Sequence, residues 1–346
     1  MAQLIWNEKD LVENYRKLQA EVGQVRIMVV LKADGYGLGL DAAASALIQA
    51  GCKLFAVSRP EDAMRLRERD ADCGILLLSP VRALRLAEQL IRRRITLFLC
   101  DKESVLTAEI AAQNVHMQAG AHLFLDTGLG RHGFSWENTK EIISILRLLQ
   151  FIRIEGCGSH LACASSLWDR RILRQYVRFV WVTKELQDAG IDPGMRHLCS
   201  SSTFLHHPEM RMDAVRLGSV LLGRGEAAKS LGLARVGHLE GVVEAVYDRK
   251  AGTRVGYGRG VRLDTERRIA VVSIGYCDGF DLCTRRSPGG MLSLFQKLPK
   301  VMIRGEMCPV IGRVGCVSTM VDVTKIACQS GDPVMAPVNP LLVRRE

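Results

Sequence analysis

The chain has 346 residues, 48% of them hydrophobic and 24% charged, which is enough for two folded domains and too apolar for a disordered chain. Its net charge of +10 comes from dispersed basic residues, and the densest run, Arg92-Arg93-Arg94, ends an amphipathic segment; this argues against a nucleic-acid surface and suits an anionic small ligand. The N-terminal MAQLIWNEKDLVENYRK lacks a secretory apolar core, and no run approaches the roughly 20 apolar residues of a membrane span. The eleven cysteines are scattered, without CxxC or zinc spacing, so the expectation is a cytoplasmic protein with reduced thiols, no metal and no membrane contact.

Residues 8–22 carry helical periodicity, and 25–31 form the first strand. A helix over 41–50 precedes the strand LFAVSR at 54–59, and PEDAMRLRERD begins a helix with proline. Strands follow at 74–80, 95–101 and 121–126, separated by helices over 82–93 and 103–113. After a helix over 136–149 come RIEGCGSH at 153–160, a long helix near 168–189, MRHLCSS at 195–201 and MDAVRLG at 212–218. About eight βα units predict an α/β fold, a (β/α)8 TIM-type barrel over residues 1–227. A doubly wound open sheet is the alternative; the barrel is favoured because residues of chemical interest recur just after strands, where barrel active sites assemble. From 228 to 346 the pattern turns to short β-rich runs broken by Gly and Pro, which predicts a mainly β C-terminal domain.

The organising stretch is VVLKADGYGLG, residues 29–39. An apolar strand that ends in Lys32 delivers an amine to a pocket rim, where lost hydration disfavours its charged form and frees it as a base or Schiff-base former. Glycines beside it let backbone approach a ligand, and the Tyr36 hydroxyl suits an anion. The sequence LKADGYGLG resembles the pyridoxal-phosphate attachment signature of alanine racemases. That resemblance implies that Lys32 carries the cofactor and acts as one catalytic base, and that Tyr36 binds the cofactor phosphate.

Further motifs extend the resemblance over nearly the whole chain. LDTGLGRHGF at 125–134 resembles the segment whose arginine, here Arg131, bonds the cofactor ring oxygen and takes part in substrate binding; Asp126 and Arg131 merely tying the loop together is the competing reading. Phe124 stands where many racemases place a modifiable lysine. His160, in GCGSHLA, is implied to lie beside the cofactor ring. HLCSSSTFLHHPEM resembles the phosphate loop, with Ser201 as ligand and Ser200 replacing an asparagine, and VRLGSVLLGR implies phosphate contacts from Gly218 and Ser219 at a helix N-terminus. Arg216 in that motif is implied to face the pyridine nitrogen, where a guanidinium donates a hydrogen bond without surrendering its proton.

In the second domain, TRVGYGRGV implies that Tyr257 is the opposite-face base, reaching the active site of the other subunit of a homodimer. A phenol of ordinary pKa about 10 needs nearby cations for that task, and His160 and Arg216 are candidates. SIGYCDGF implies a substrate-facing Tyr276. IGRVGCVSTMVDVT aligns less faithfully: a backbone N–H at Cys316 still suits a substrate carboxylate, whereas Val317 replaces an acidic residue. The tail VNPLLVRRE lacks the tyrosine of typical relatives. The resemblance therefore implies a pyridoxal-phosphate-dependent racemase that interconverts L- and D-alanine by a two-base mechanism and supplies D-alanine for peptidoglycan precursors. A serine or broader-specificity racemase, and a non-catalytic pyridoxal-phosphate-binding protein, are the alternatives.

Overall fold

The computed structural model describes residues 2–162, 169–258, 260–280 and 299–338; the tail beyond Val338, singled out above for its missing tyrosine, lies outside the described residues. The chain divides into two compact units, one of Glu8–Gly35 and Gly39–Ala234, the other of Met1–Asn7, Tyr36–Leu38 and Arg235–Glu346.

After Gln3–Ile5 (β1), which belongs to the second unit, the first unit contains β2 (Arg26–Val30), β3 (Leu54–Val57), β4 (Gly74–Leu77), β5 (Leu97–Leu99), β6 (Ala119–Asp126), the two-residue β7 (Phe134–Ser135), β8 (Ile152–Gly158), β9 (Met195–His197) and β10 (Ala214–Leu217). β10, β2, β3 and β4 pair in parallel, as do β5, β6, β8 and β9, with β7 hanging on β6. Single parallel bridges, Leu76 to Thr96 and Ser200 to Arg216, join these two sets at both seams. Eight strands thereby close into a barrel, helices alternating with them as the periodicity predicts. Alternate residues of the strands point inward: Met28, Val30, Ala56, Leu76, Met195 and Ala214 form one buried cluster. Buried Asn14, on the helix Glu8–Val22, donates to the carbonyls of Leu221 and Ala234 and so ties the start of this unit to its end.

The predicted seventh strand is shorter than its apolar pattern: its pairing with β8 ends at His197, and beyond it only the single bridge from Ser200 to Arg216 continues the ladder. The helix expected to begin at Gly218 is absent; residues 218–223 are turns, and the next helix is Gly225–Ser230. The run LGSVLLGR holds glycines at 218 and 223, and Gly223 is left-handed, a conformation that suits a turn rather than a helix interior.

The second unit is mainly β. It comprises β11 (His238–Arg249), β12 (Arg254–Val255), β13 (Val261–Arg262), β14 (Arg267–Val272), β15 (Lys300–Ile303), β16 (Glu306–Pro309), β17 (Thr319–Asp322) and β18 (Pro333–Pro337). Six strands run in the order β16-β15-β18-β11-β14-β17, all antiparallel, over a core that includes Val243, Ala270, Val272, Phe280, Val301 and Val321. β1 adds to β11, Gln3 opposite Glu240, a pairing that three residues of sequence gave no means to foresee. β12 and β13 form a separate hairpin whose loop carries Tyr257.

Candidate active site

Lys32 leaves the barrel at the C-terminal end of β2. The backbone after it is bent into left-handed conformations, with φ of 49° at Ala33, 54° at Asp34 and 59° at Tyr36, and Gly35 at 65°. Non-glycine residues hold such φ only where their surroundings enforce it, a common feature of functional loops. One enforcer is Asp34, whose carboxylate accepts from the Leu40 N–H at 2.9 Å. Burial lowers the Lys32 pKa first, and the charges of Arg131 and Arg216 lower it further. Tyr36 is buried, which pushes its phenol up to about 12.

Arg216, 5% exposed on β10, is held by buried hydrogen bonds from both ends of its guanidinium. Its Nη1 donates to the His197 carbonyl at 2.5 Å and lies 2.6 Å from His197 Nδ1, while Nη2 donates to the Ser159 carbonyl at 2.6 Å. Burial lowers its pKa to about 10, so it remains a cation near neutral pH. A guanidinium has no acceptor, so His197 Nδ1 must be unprotonated and its Nε2 carries the proton. That Nε2 lies 2.8 Å from His122 Nδ1, which therefore accepts. Burial and the adjacent cation push His122 down to about 3 and His197 well below its ordinary value. The result is a buried relay of two neutral histidines beneath one arginine.

Sequence reasoning missed both histidines, although a signal existed. Gly156 stands opposite His122 across β6 and β8, and Gly158 opposite His197 across β8 and β9. A Cβ on Gly158 would fall 2.2 Å from the His197 ring, and one on Gly156 2.7 Å from the His122 ring. The GCG of β8 is thus the imprint of two inward imidazoles.

Asp126 accepts from the N–H groups of Gly128, Leu129 and Gly130, so it organises the loop through backbone alone. Arg131 is no part of that tie and sits exposed; its charge nevertheless reaches Lys32 and His160. His160 follows β8, and burial with Arg216, Arg131 and Lys32 around it drives its pKa down to about 4. Phe124 packs on Phe98, ring centroids 4.4 Å apart, and presents its face to the Arg216 guanidinium at 5.8 Å. An aromatic ring, rather than a charged side chain, fills that position.

At the end of β9 the Ser201 hydroxyl accepts from the Gly218 N–H at 3.0 Å and from Val220 at 3.4 Å, so serine and turn are already joined. Ser200 gives its N–H to Thr203 Oγ1. A cavity of about 150 Å³ opens here, lined by Ser201, Ser202, Ser219, His206, Arg224 and Glu226. Arg224 is a third residue the sequence reading did not select; it is a basic group lining a cavity rich in hydroxyls. Lys32, Arg131 and Arg216 share one electropositive neighbourhood, and this cavity adds hydroxyls and a further cation. A group with a phosphate and an ionised ring oxygen, as pyridoxal phosphate has, fits that donor set.

Within the second unit, Tyr257 is 66% exposed in its hairpin loop, and Tyr276 lies in the turn Tyr276–Asp278. Cys316 is exposed, and Tyr276 donates its N–H to the Gly315 carbonyl at 2.9 Å. A Cβ on Gly315 would lie 3.5 Å from the Tyr257 ring, so Tyr257, Tyr276 and Cys316 gather on one patch of this unit. No group of three or more His, Cys, Asp or Glu among the described residues is placed to hold a metal ion, and no helix among them is long and apolar enough to cross a membrane.

Comparison with known families bears on the whole arrangement. The family described as the alanine racemase N-terminal domain matches residues 7–225, and its C-terminal domain matches residues 236–337. The chain belongs to the alanine racemase family. It is 31% identical to alanine racemase 1 of Clostridium acetobutylicum over 96% of this chain and 85% of that protein, and 31% identical to the alanine racemase of Desulforamulus reducens over 94% and 88%. Alanine racemase from D-cycloserine-producing Streptomyces lavendulae superposes with a TM-score of 0.85 at 25% identity, covering 97% of this chain and 87% of that one. The fold is likewise that of the Bartonella henselae alanine racemase, solved with covalently bound pyridoxal phosphate: TM-score 0.81, 24% identity, 98% and 91% covered. The alanine racemase fold is thus a TIM-like barrel followed by a mainly β domain, as the sequence predicts.

Proposed function

We propose that this chain is a pyridoxal-phosphate-dependent amino-acid racemase acting on alanine. The observation that carries the reading is Lys32, an amine at a barrel strand end whose proton affinity is lowered by burial and by Arg131 and Arg216. Lys32 would hold the cofactor; Tyr36, Ser200, Ser201, Gly218 and Ser219 would hold its phosphate; Arg131, His160 and Arg216 would line its ring. Bound pyridoxal phosphate supplies the electron withdrawal that acidifies an amino acid's α-hydrogen. Lys32, whose proton affinity burial and the two arginines lower, would then serve as base for one face of the α-carbon, and Tyr257 of a partner copy would serve the other. Arg216, clamped by His197 and Ser159, would be placed to donate a hydrogen bond to the ring nitrogen while keeping its own proton. Tyr276 and the Cys316 backbone, with Arg131, would orient the substrate carboxylate.

The high exposure of Tyr257 supports a homodimer with shared active sites, because a base belongs in a shielded place that this unit alone does not provide. A cytoplasmic location and the use of D-alanine in peptidoglycan precursors belong to the same proposal. The test is solvent-deuterium incorporation at the α-carbon with chiral analysis, for purified protein and cofactor, across L-alanine, L-serine and a small amino-acid panel. Exchange with inversion on alanine supports the proposal. Exchange confined to serine moves the specificity, as the substitutions at Phe124 and Val317 allow. Bound cofactor without any exchange leaves the non-catalytic binding protein.

A further inference from the structure

Nine cysteines lie among the described residues, and seven are buried; Cys277 and Cys316, 39 positions apart, are the two with solvent access. Their sulfurs are 2.9 Å apart. Backbone holds them there: Tyr276 N–H donates to Gly315 O at 2.9 Å and Cys277 N–H to Cys316 O at 3.0 Å. Gly275 lets the two segments press together, since a Cβ on it would fall 2.1 Å from the Cys316 carbonyl oxygen. Two adjacent backbone hydrogen bonds join the partner segments, so the thiol contact does not depend on side-chain rotation alone. Hydrogen bonds from the Cys277 thiol and the Tyr276 side chain hold the Cys316 thiol below its ordinary range, raising its thiolate fraction.

We propose that Cys277 and Cys316 are a dithiol site that closes to a reversible intrachain disulfide and, by doing so, lowers racemase turnover. The bond itself stands on the geometry; its effect on turnover rests on the functional reading above. A disulfide of about 2.05 Å requires the sulfurs, 2.9 Å apart, to approach by under about 1 Å. With a low-molecular-weight disulfide as oxidant, the Cys316 thiolate attacks one sulfur, breaking the small S–S bond and expelling one small thiolate. Cys277, having given its proton to solvent, attacks Cys316 sulfur and expels the second. The two cysteines lose two electrons and two protons, and the small disulfide becomes two thiols. Closure removes the Cys316 thiolate as a partner for Tyr276, and it braces the segment whose Gly315 lies against Tyr257. The two tyrosines assigned to substrate and to proton transfer are thus both neighbours of the bond.

The test incubates the cofactor-loaded protein with oxidised glutathione, alkylates remaining thiols, and maps peptides by mass spectrometry alongside alanine racemisation. The expected result is a crosslink between the Cys277 and Cys316 peptides within one chain, turnover reduced at least fivefold, and recovery of both on adding dithiothreitol. Cys277→Ala, at a position outside the proposed binding machinery, should keep its reduced-state turnover within twofold and lose the sensitivity. Both thiols still alkylated after oxidation, or a bond formed between chains, overturns the site. A mapped crosslink with unchanged turnover overturns the regulatory role alone, and a protein inactive even when reduced would refute the racemase reading while leaving the crosslink readable.

Discussion

The relay beneath Arg216 makes a steric prediction that can be worked from the register. Gly158 and His197 are direct cross-strand partners, and His197 is fully buried. Gly158 does not have a left-handed φ, so alanine is acceptable to the backbone and the substitution tests space alone. Gly158→Ala pushes a methyl to 2.2 Å from the imidazole and should cost about 1–3 kcal/mol through overpacking. His197→Ala leaves a cavity and removes one charge-assisted bond from a buried guanidinium, costing about 2–5 kcal/mol for the cavity and about 1.5–3 kcal/mol for the bond. In the double variant the new methyl refills part of that space, so the Gly158 substitution should become neutral or stabilising by about 0.8 kcal/mol, the value of one buried methylene. The two effects should therefore couple by about 1–4 kcal/mol, which reaches the upper end for touching residues. Urea unfolding of the four proteins, followed by tryptophan fluorescence with equal cofactor loading, measures the coupling. Equal costs of Gly158→Ala in both backgrounds would refute the claim that the glycine exists to admit the imidazole.

Acid should weaken the fold. Unfolded chains protonate histidine as pH falls below 6.5, whereas folded His122 resists down to about 3, so the stability present above 6.5 is lost at about 1.4 kcal/mol per pH unit on acidification; a urea midpoint that stays level from pH 7 to 5 would contradict the neutral relay. Lys32→Ala should abolish borohydride-reducible attachment of pyridoxal phosphate, and an unchanged adduct would remove Lys32 from its role. Tyr257→Phe should slow α-hydrogen exchange from one alanine enantiomer by at least a hundredfold more than from the other; equal, small effects on both would end the two-base assignment. Dilution to monomer, followed by sedimentation, should abolish racemisation, and a fully active monomer would sever Tyr257 from a partner's site.

The barrel was legible because its evidence is periodic. Each strand is a short apolar run, each helix an amphipathic one, and their alternation leaves few topologies. What escaped were features without period. β1 is three residues that only β11 makes into a strand, and turns that end in left-handed Gly223 stand after Leu217 where a helix start is expected. Local propensity does not encode a partner more than two hundred residues away.

The site divides in the same way. Lys32 and His160 could be located because they follow strands, and strand ends are readable; Arg216 stood out only through the resemblance of its motif. His122 and His197 could not, since an inward histidine in an apolar strand looks like any other interruption of the pattern. Their signature lay instead on a neighbouring strand, as two glycines spaced by two residues, the period of one strand face. A glycine pair of that spacing in the middle of a barrel strand records the bulk of what stands opposite. Cys316 was selected for its backbone N–H alone, and its thiol pairing with Cys277 escaped for the complementary reason: only the pairing of the Gly275–Cys277 segment with Gly315–Cys316 makes the two a couple. Groups that act by themselves are visible in sequence, whereas groups that act as neighbours become visible only when register is known. The residues by which this chain differs from its relatives in chemistry are therefore to be sought first among its cross-strand pairs.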